Sequence, residues 1–458
     1  MTAGLNWADF EQTLHDGVVR AVASAVADHP GERFYAAALN HVYREEDGHI
    51  TLPLLGINSL EALALEPAEL RAELRWSAPD WDLHRDDWLP GNAAERWEKD
   101  LTTHACSGTA EHWQATFDRY LTTLVGVCLR ARETLCEQGV THDDFVVLLL
   151  DEEQHETLIR QVLTADEVRR HFPDLDARAA ELTRITALTP AERAAYLAPL
   201  LGTSVGAVRS EDVESALRDL GPAAFPALLP LLATADRAWQ AAKLLADIGR
   251  PDDAIIHALH VALERTHGTA QGWVAGALSR LGRLDLVLDR AESLPEDVLV
   301  GAVAAPYTSF RDHAGNPPPL DYRPLADFIE HRPAYLPALE RHLAPGSGFS
   351  GLAAHEVDAA VAGLSSPHQI IRRHAVAVLG RRRLGQDIGR RVLPLLCRTI
   401  RQDPDPVARR LAILSLLWWR NDSRRLATVV REALADPAEE VRETATHWLR
   451  EQLTDEPA

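Results

Sequence analysis

The chain has 458 residues, more than a single core usually supports, and 46% of them are hydrophobic, enough for two or more folded units. A formal net charge of −21 sets phosphate repulsion against nucleic-acid binding. No run of about 18 apolar residues is present, which argues against a membrane span. Cys106, Cys128, Cys136 and Cys397 are scattered without a CxxC pair, as expected of reduced thiols. Met1-Thr2-Ala3-Gly4 has neither the basic nor the apolar segment of a signal peptide, so a cytoplasmic location is expected.

Trp7 to Asp28 reads as an amphipathic helix, with Phe10, Leu14, Val18, Val22 and Val26 on one stripe and His29-Pro30-Gly31 ending it. Residues 33–44 and 49–57 read as two strands joined at Glu45-Glu46-Asp47-Gly48, because Asp-Gly between such runs signals a hairpin. Asn58-Ser59 can cap a short helix. A long helix follows from about Thr109 to Glu137, carrying Trp113, Phe117, Tyr120, Leu124, Cys128 and Leu135 on one face. Phe145 to Leu150 is an apolar run of buried-strand length, and Thr164-Ala165-Asp166-Glu167 is a capping box. These elements predict an α+β domain over residues 1–176. Residues 177–210, interrupted by Pro190 and Pro199, read as a helical connector, and residues 211–458 as helix pairs.

Trp76, Trp81 and Trp88 crowd one loop after the strands. That arrangement resembles a bacterial domain family of unknown function, sometimes found near toxin–immunity genes. The resemblance covers roughly residues 5–175 and implies a fold without catalytic residues. The three indoles admit two readings: a lid pinned onto the sheet, or an aromatic recognition site.

From Val357 to Leu453 one pattern occurs three times: an apolar helix, a turn with proline, and a second helix with an early arginine. The turn prolines, Pro367, Pro404 and Pro437, are 37 and 33 residues apart. Arg372, Arg409 and Arg442 follow each at the same offset, and Ala375, Ala412 and Ala445 lie three further on. Repetition at this period without strand signals indicates stacked helix pairs. The endings Leu245-Ala246-Asp247-Ile248-Gly249 and Leu278-Ser279-Arg280-Leu281-Gly282 are 33 residues apart and extend the pattern upstream. Residues 305–350 are less regular, with breakers at Asn316-Pro317-Pro318-Pro319 and Pro345-Gly346-Ser347-Gly348, and read as a degenerate repeat with an inserted loop or hinge. The pattern resembles the HEAT-repeat family. That resemblance implies an all-α HEAT-like helical-repeat solenoid after the α+β domain. It also implies that turn Asp and early Arg residues form a ladder between repeats, with Asp403, Asp436, Arg409 and Arg442 in those places and Ser366 departing from them.

No Walker loop, GxSxG, HExxH or GxGxxG-helix motif occurs, and no cofactor or metal is expected. His104 with His112, and the run from Asp151 to Glu156, read as surface or turn residues. The sharpest signal is charge. Between Ile370 and Arg431 stand fifteen arginines and four acidic residues, a net of +11, leaving −32 for the rest of the chain. Arg390-Arg391 and Arg424-Arg425 are 34 residues apart, and Arg381-Arg382-Arg383 lies nearby. Stacked repeats would set these residues along one basic edge. The edge would either meet an acidic protein partner or pair with the acidic N-terminal half. The leading expectation is a non-enzymatic interaction scaffold. Nucleic-acid binding, invited by Trp418-Trp419-Arg420, is the second, and a HEAT-like lyase the third.

Overall fold

The helix Trp7–Asp28 starts where the Asn6 side chain accepts a hydrogen bond from the Asp9 amide. Its stripe of Phe10, Leu14, Val18 and Val22 is buried and packs against the helix Ala110–Glu137. The computed structural model describes residues 5–42, 48–108, 110–151, 155–203, 206–313, 317–345, 348–380, 386–417 and 423–453. The chain divides into two compact units, Met1–Asp176 and Ala177–Ala458.

In the first unit, β1 (Phe34–Val42), β2 (Leu54–Ser59), β3 (Leu83–Arg85) and β4 (Val146–Asp151) form one sheet in the order β3–β2–β1–β4. β1 pairs antiparallel with β2 and parallel with β4. Ala36, Ala37 and Ala38 of the central strand are all buried, so the sheet is covered on both faces. Ser59 then caps the helix Leu60–Leu65 by accepting from the Ala62 amide at 3.0 Å.

The two strands expected at residues 33–44 and 49–57 do pair antiparallel, but the second begins at Leu54 and not at His49. The register runs to Asn40↔Leu54 and β1 ends at Val42, so residues 43–53 separate the two strands; residues 43–47 lie outside the described residues. Gly48 to Pro53 is held by side chains where a strand would be held by a neighbour. Trp113 Nε1 donates to the Gly48 carbonyl (2.8 Å), Tyr120 to that of Thr51 (2.8 Å) and Trp88 Nε1 to that of Pro53 (3.1 Å). The Ile50 and Leu52 amides donate to Thr102 (3.0 Å) and Glu98 (2.9 Å). Backbone polar groups require partners when buried, and here the helices Ala93–Ala105 and Ala110–Glu137 supply most of them.

The second unit is helical apart from the isolated bridge Thr308↔Phe349 among the described residues. Residues 177–210 are no connector. Pro190 opens the helix Pro190–Leu197 behind a Thr189–Glu192 capping box, and Pro199 sits in a 3₁₀ turn. Ile185, Ala194, Leu197 and Leu201 belong to the second core. Beyond them the helices Ala238–Ile248, Gly268–Arg280 and Glu296–Ala304 pack side by side. Gly249 (φ 69°) and Gly282 (φ 78°) terminate two of these in the left-handed region. Gly380 follows the helix Gln369–Leu379 for another reason. Its φ is −69°, but a Cβ there would lie 2.3 Å from Ser415 Oγ.

The irregular stretch is strapped by side chains where the repeat pattern lapses. Arg311 donates to the Pro318 carbonyl (2.8 Å), the Leu320 amide to Glu356 (2.8 Å) and the Tyr307 hydroxyl to the Asp321 carbonyl (2.7 Å). Arg311 and Glu356 themselves form a buried ion pair.

Three helix pairs close the unit: Val357–Gly363 with Gln369–Leu379, Gln386–Gln402 with Pro406–Leu416, and Ser423–Glu432 with Glu439–Leu453. Ala375, Ala412 and Ala445 are fully buried at equivalent positions. Ala412→Leu should overpack this interface and cost about 1–3 kcal/mol, seen as a lowered denaturant midpoint for the second unit. An unchanged midpoint would show that the position is not tightly packed.

Candidate functional site

The repeat turns are joined by a ladder of arginines. Arg372 Nη1 donates to the carbonyls of its own turn, Ser366 (3.0 Å) and Pro367 (3.1 Å). Its Nε and Nη2 reach forward to Asp403 at 2.9 and 3.1 Å. Arg409 repeats the arrangement with the carbonyls of Asp403 (2.8 Å) and Pro404 (3.3 Å) and with Asp436, both contacts at 2.7 Å. Arg442 grips the carbonyls of Asp436 and Pro437 in the last turn. Ser366, where the aspartate is missing, accepts the His368 amide at 3.2 Å, so the first turn keeps its local cap.

A second contact, Arg373 with Asp405 at 2.6 and 3.1 Å, runs beside the first rung. The hydrogen bonds from Arg409 hold the Asp436 carboxyl below its ordinary range. At Asp405 burial acts to raise the carboxyl, but the Arg373 guanidinium and the Val407 and Ala408 amides together outweigh it and the net shift is downward.

The ladder thus withdraws Arg372, Arg373 and Arg409 from the basic stretch. Arg390 and Arg391 remain at the surface, their side chains 78% and 52% exposed, beside the equally open carboxylates of Asp387 and Asp358. Both lie a turn inside the helix Gln386–Gln402 and do not open it. Arg424 and Arg425 fall in the first turn of Ser423–Glu432, with side chains outside the described residues. Arg381, Arg382 and Arg383, and Trp418-Trp419-Arg420, lie outside the described residues altogether. The carboxylates paired with Arg372, Arg373, Arg390, Arg391, Arg401 and Arg409 all belong to the second unit.

Of the three loop tryptophans, Trp81 and Trp88 are 3% and 4% exposed. The Trp81 N–H donates to the Leu74 carbonyl at 3.0 Å, and its ring lies over β2, where a Cβ on Gly56 would come within 3.1 Å of it. Trp88 packs against the first helix, 3.0 Å from a Cβ on Gly17, and bonds Pro53. An aromatic recognition site built from all three therefore does not form, because two indoles are spent on the core. Trp76 is half-buried against Tyr35 and Phe172, with ring centroids 5.5 and 4.9 Å away. Burial pushes the Tyr35 phenol up to about 12.

His104 and His112 meet edge to face with ring centroids 5.0 Å apart, and His112 Nε2 donates to the His104 carbonyl at 2.9 Å. Burial lowers the His104 imidazole. Asp151 is buried at the end of β4, and residues 152–154 of its acidic run lie outside the described residues. Among the described residues no group of three or more His, Cys, Asp or Glu could hold a metal ion, and no helix is long and apolar enough to cross a membrane.

Sequence reasoning missed two buried ionic centres. One is Arg311–Glu356. In the other, Asp247 accepts from Arg280 at 2.6 Å and from Arg218 at 3.5 Å. A signal for the second existed: Asp247 and Arg280 occupy the same slot of two aligned helix endings 33 residues apart. Opposite charges in one slot of adjacent repeats can meet across their interface.

Comparison with known proteins agrees with this division. Residues 357–450 match the family model of HEAT repeats, and residues 14–165 match that of a domain of unknown function, DUF4303. No curated protein matches the sequence. Among solved structures, human deoxyhypusine hydroxylase in complex with glycerol is similar at 17% identity and a TM-score of 0.24, over 58% of this chain and 98% of that one. Similarity at that level places no residue of that enzyme on this chain.

Proposed function

We propose that the chain is a non-enzymatic scaffold whose helical-repeat unit presents Arg390, Arg391, Arg424 and Arg425 to an acidic protein partner. The toxin–immunity or defence setting implied by the N-terminal resemblance belongs to the same proposal. The observation that carries it is the exposure of Arg390 and Arg391 next to carboxylates that are themselves 88% and 80% exposed. Such surface pairs contribute about 0–1 kcal/mol, so a partner's carboxylates can replace them at little cost. The ladder arginines Arg372 and Arg409 are satisfied internally and are not part of this surface.

Replacing all four arginines with glutamate should abolish capture of the partner while the melting transition of the second unit persists. Glutamate suits the first helical turn at positions 424 and 425, so stability there should hold or rise slightly. Association of the wild type should weaken as salt rises, because the Arg390 and Arg391 charges face solvent. Tight binding of short DNA or RNA at about 150 mM salt, lost in the same variant, would replace the protein partner with nucleic acid. Unaltered capture by the quadruple variant would remove this surface from consideration.

A further inference from the structure

Trp76, the one of the three loop tryptophans not spent on the core, clusters with Arg75 and His171. The backbone there is pinned to the sheet. The Tyr35 hydroxyl donates to the Arg75 carbonyl at 2.6 Å, and the Asn58 amide group donates to that hydroxyl at 3.1 Å. The Arg75 side chain folds back over the rings, its guanidinium carbon 5.0 Å from the centre of Tyr35 and 5.2 Å from that of Trp76. His171 meets Trp76 edge to face, with ring centroids 5.2 Å apart. Arg75, Trp76 and His171 are all half-buried.

The guanidinium, the indole N–H and the imidazole nitrogens of these three side chains have no hydrogen-bond partner among the described residues, and none is closed off from solvent. Residues 1–176 contain 33 acidic and 14 basic residues, a net of −19, so a carboxylate is seldom far from an arginine. Arg33, Arg85, Arg130, Arg132 and Arg169 each hold one. Arg96 and Arg119 also lie over indoles without a carboxylate, but both are exposed, whereas Arg75 is enclosed by rings. Arg170, exposed and next in the chain to His171, adds a second guanidinium without a carboxylate among the described residues. Burial, and then the charges of Arg75 and Arg170, lower the His171 imidazole below its ordinary value, so both arginines act on this spot. Glu167 acts in the opposite direction, but it is engaged by Arg132.

We infer that Arg75, Trp76, Arg170 and His171 bind a phosphate monoester. A guanidinium and an indole N–H can only donate, so the group that satisfies them is an acceptor. Two positive charges match a dianion, and a guanidinium already held against two rings loses little freedom on binding. A carboxylate or a sulfate ester carries one charge and would leave the second guanidinium unmatched. The net charge of the unit repels anions at long range, but that field is screened beyond about 8–10 Å at physiological salt, whereas these donors act in contact. The site belongs to the first unit and does not depend on the reading of Arg390 and Arg391.

The test is calorimetric titration of the full chain with phenyl phosphate and phenyl sulfate at about pH 8, where the phosphate monoester is a dianion. Phenyl phosphate should bind one per chain and about tenfold or more tighter than phenyl sulfate, which has the same shape and one charge fewer. Arg75→Gln should remove that preference. Its side chain bonds to no protein group, so the melting transition of the first unit should persist. If losing the ring contacts unfolds the unit instead, Arg170→Gln, at an exposed position, supplies the second variant and should weaken phenyl phosphate severalfold. A tripeptide centred on phosphoserine separates the two sources of the ligand: tighter binding than phenyl phosphate supports a phosphorylated protein, weaker binding a small phosphate monoester. Equal binding of the phosphate and sulfate esters would overturn the inference. So would an unchanged phenyl phosphate affinity in a folded Arg75→Gln or in Arg170→Gln, or no binding up to about 10 mM.

Discussion

Glu356→Gln should destabilise the second unit by about 3–5 kcal/mol, the cost of leaving a buried charge without its partner. The Arg311 and Glu356 side chains are only 7% and 3% exposed. Glu356 also accepts the Leu320 and Ala353 amides at 2.8 and 3.0 Å, so three donors converge on one carboxylate. Glutamine keeps the shape but turns an amide toward the guanidinium. Urea denaturation of the full chain, followed by a probe in the second unit, measures the loss. The variant Arg311→Met with Glu356→Leu should recover much of it, since an apolar pair demands no compensation. If Glu356→Gln unfolds at the wild-type midpoint, the strap is not a structural anchor.

The same residue predicts a pH dependence. Burial acts to raise the Glu356 carboxyl, but Arg311 and the two amides outweigh it, and its folded-state value lies below the ordinary 4.5. A depressed carboxyl contributes stability that is present above the unfolded value and lost as pH falls through the folded one. Wild-type stability should therefore decline below about pH 4.5, and Glu356→Gln should lack part of that decline.

The ladder gives the second large effect. Arg409→Ala should cost about 3–5 kcal/mol, because it leaves Asp436, 8% exposed, without its guanidinium. It also strips the Asp403 and Pro404 carbonyls of their donor. Arg401→Ala is the control: Arg401 and Glu432 are 44% and 49% exposed, and losing that pair should cost about 0–1 kcal/mol. In a cycle with Asp436→Ala, the coupling of Arg409 and Asp436 should fall at about 0.5–3 kcal/mol. A coupling near zero would make the ladder a geometric accident of the repeat.

These two centres were unequally legible in the amino-acid sequence. The ladder could be read because its parts recur at fixed offsets from Pro367, Pro404 and Pro437, and periodicity converts sequence distance into spatial contact. Arg311 and Glu356 are 45 residues apart in the stretch where the period lapses, so no register connects them. The antiparallel pairing of the first two strands was legible, but the start of the second was not, because Asp-Gly specifies a turn and not the register beyond it. The connector expectation failed because Pro190 and Pro199 were read as breakers, whereas one is the first residue of a helix and the other part of a 3₁₀ turn. Clustered tryptophans showed that residues 76–88 matter to something. Composition gave no means of telling that Trp81 and Trp88 face inward.

The stretch from Gly48 to Pro53 has a consequence for how the first unit tolerates change. A strand in a sheet is held by backbone groups, which every residue possesses, so most substitutions in its neighbours leave its bonds intact. Here the bonds come from two indoles, a phenol, a hydroxyl and a carboxylate. The information that fixes this path is therefore written elsewhere in the chain, at Trp88, Glu98, Thr102, Trp113 and Tyr120. Within the path, Gly48 at φ 80° and the buried Ile50 and Leu52 keep side-chain constraints of their own, but the polar contacts that hold its backbone are set by those five distant residues. A variation map of the domain should show that changes along this path are coupled to positions some 35 to 69 residues later.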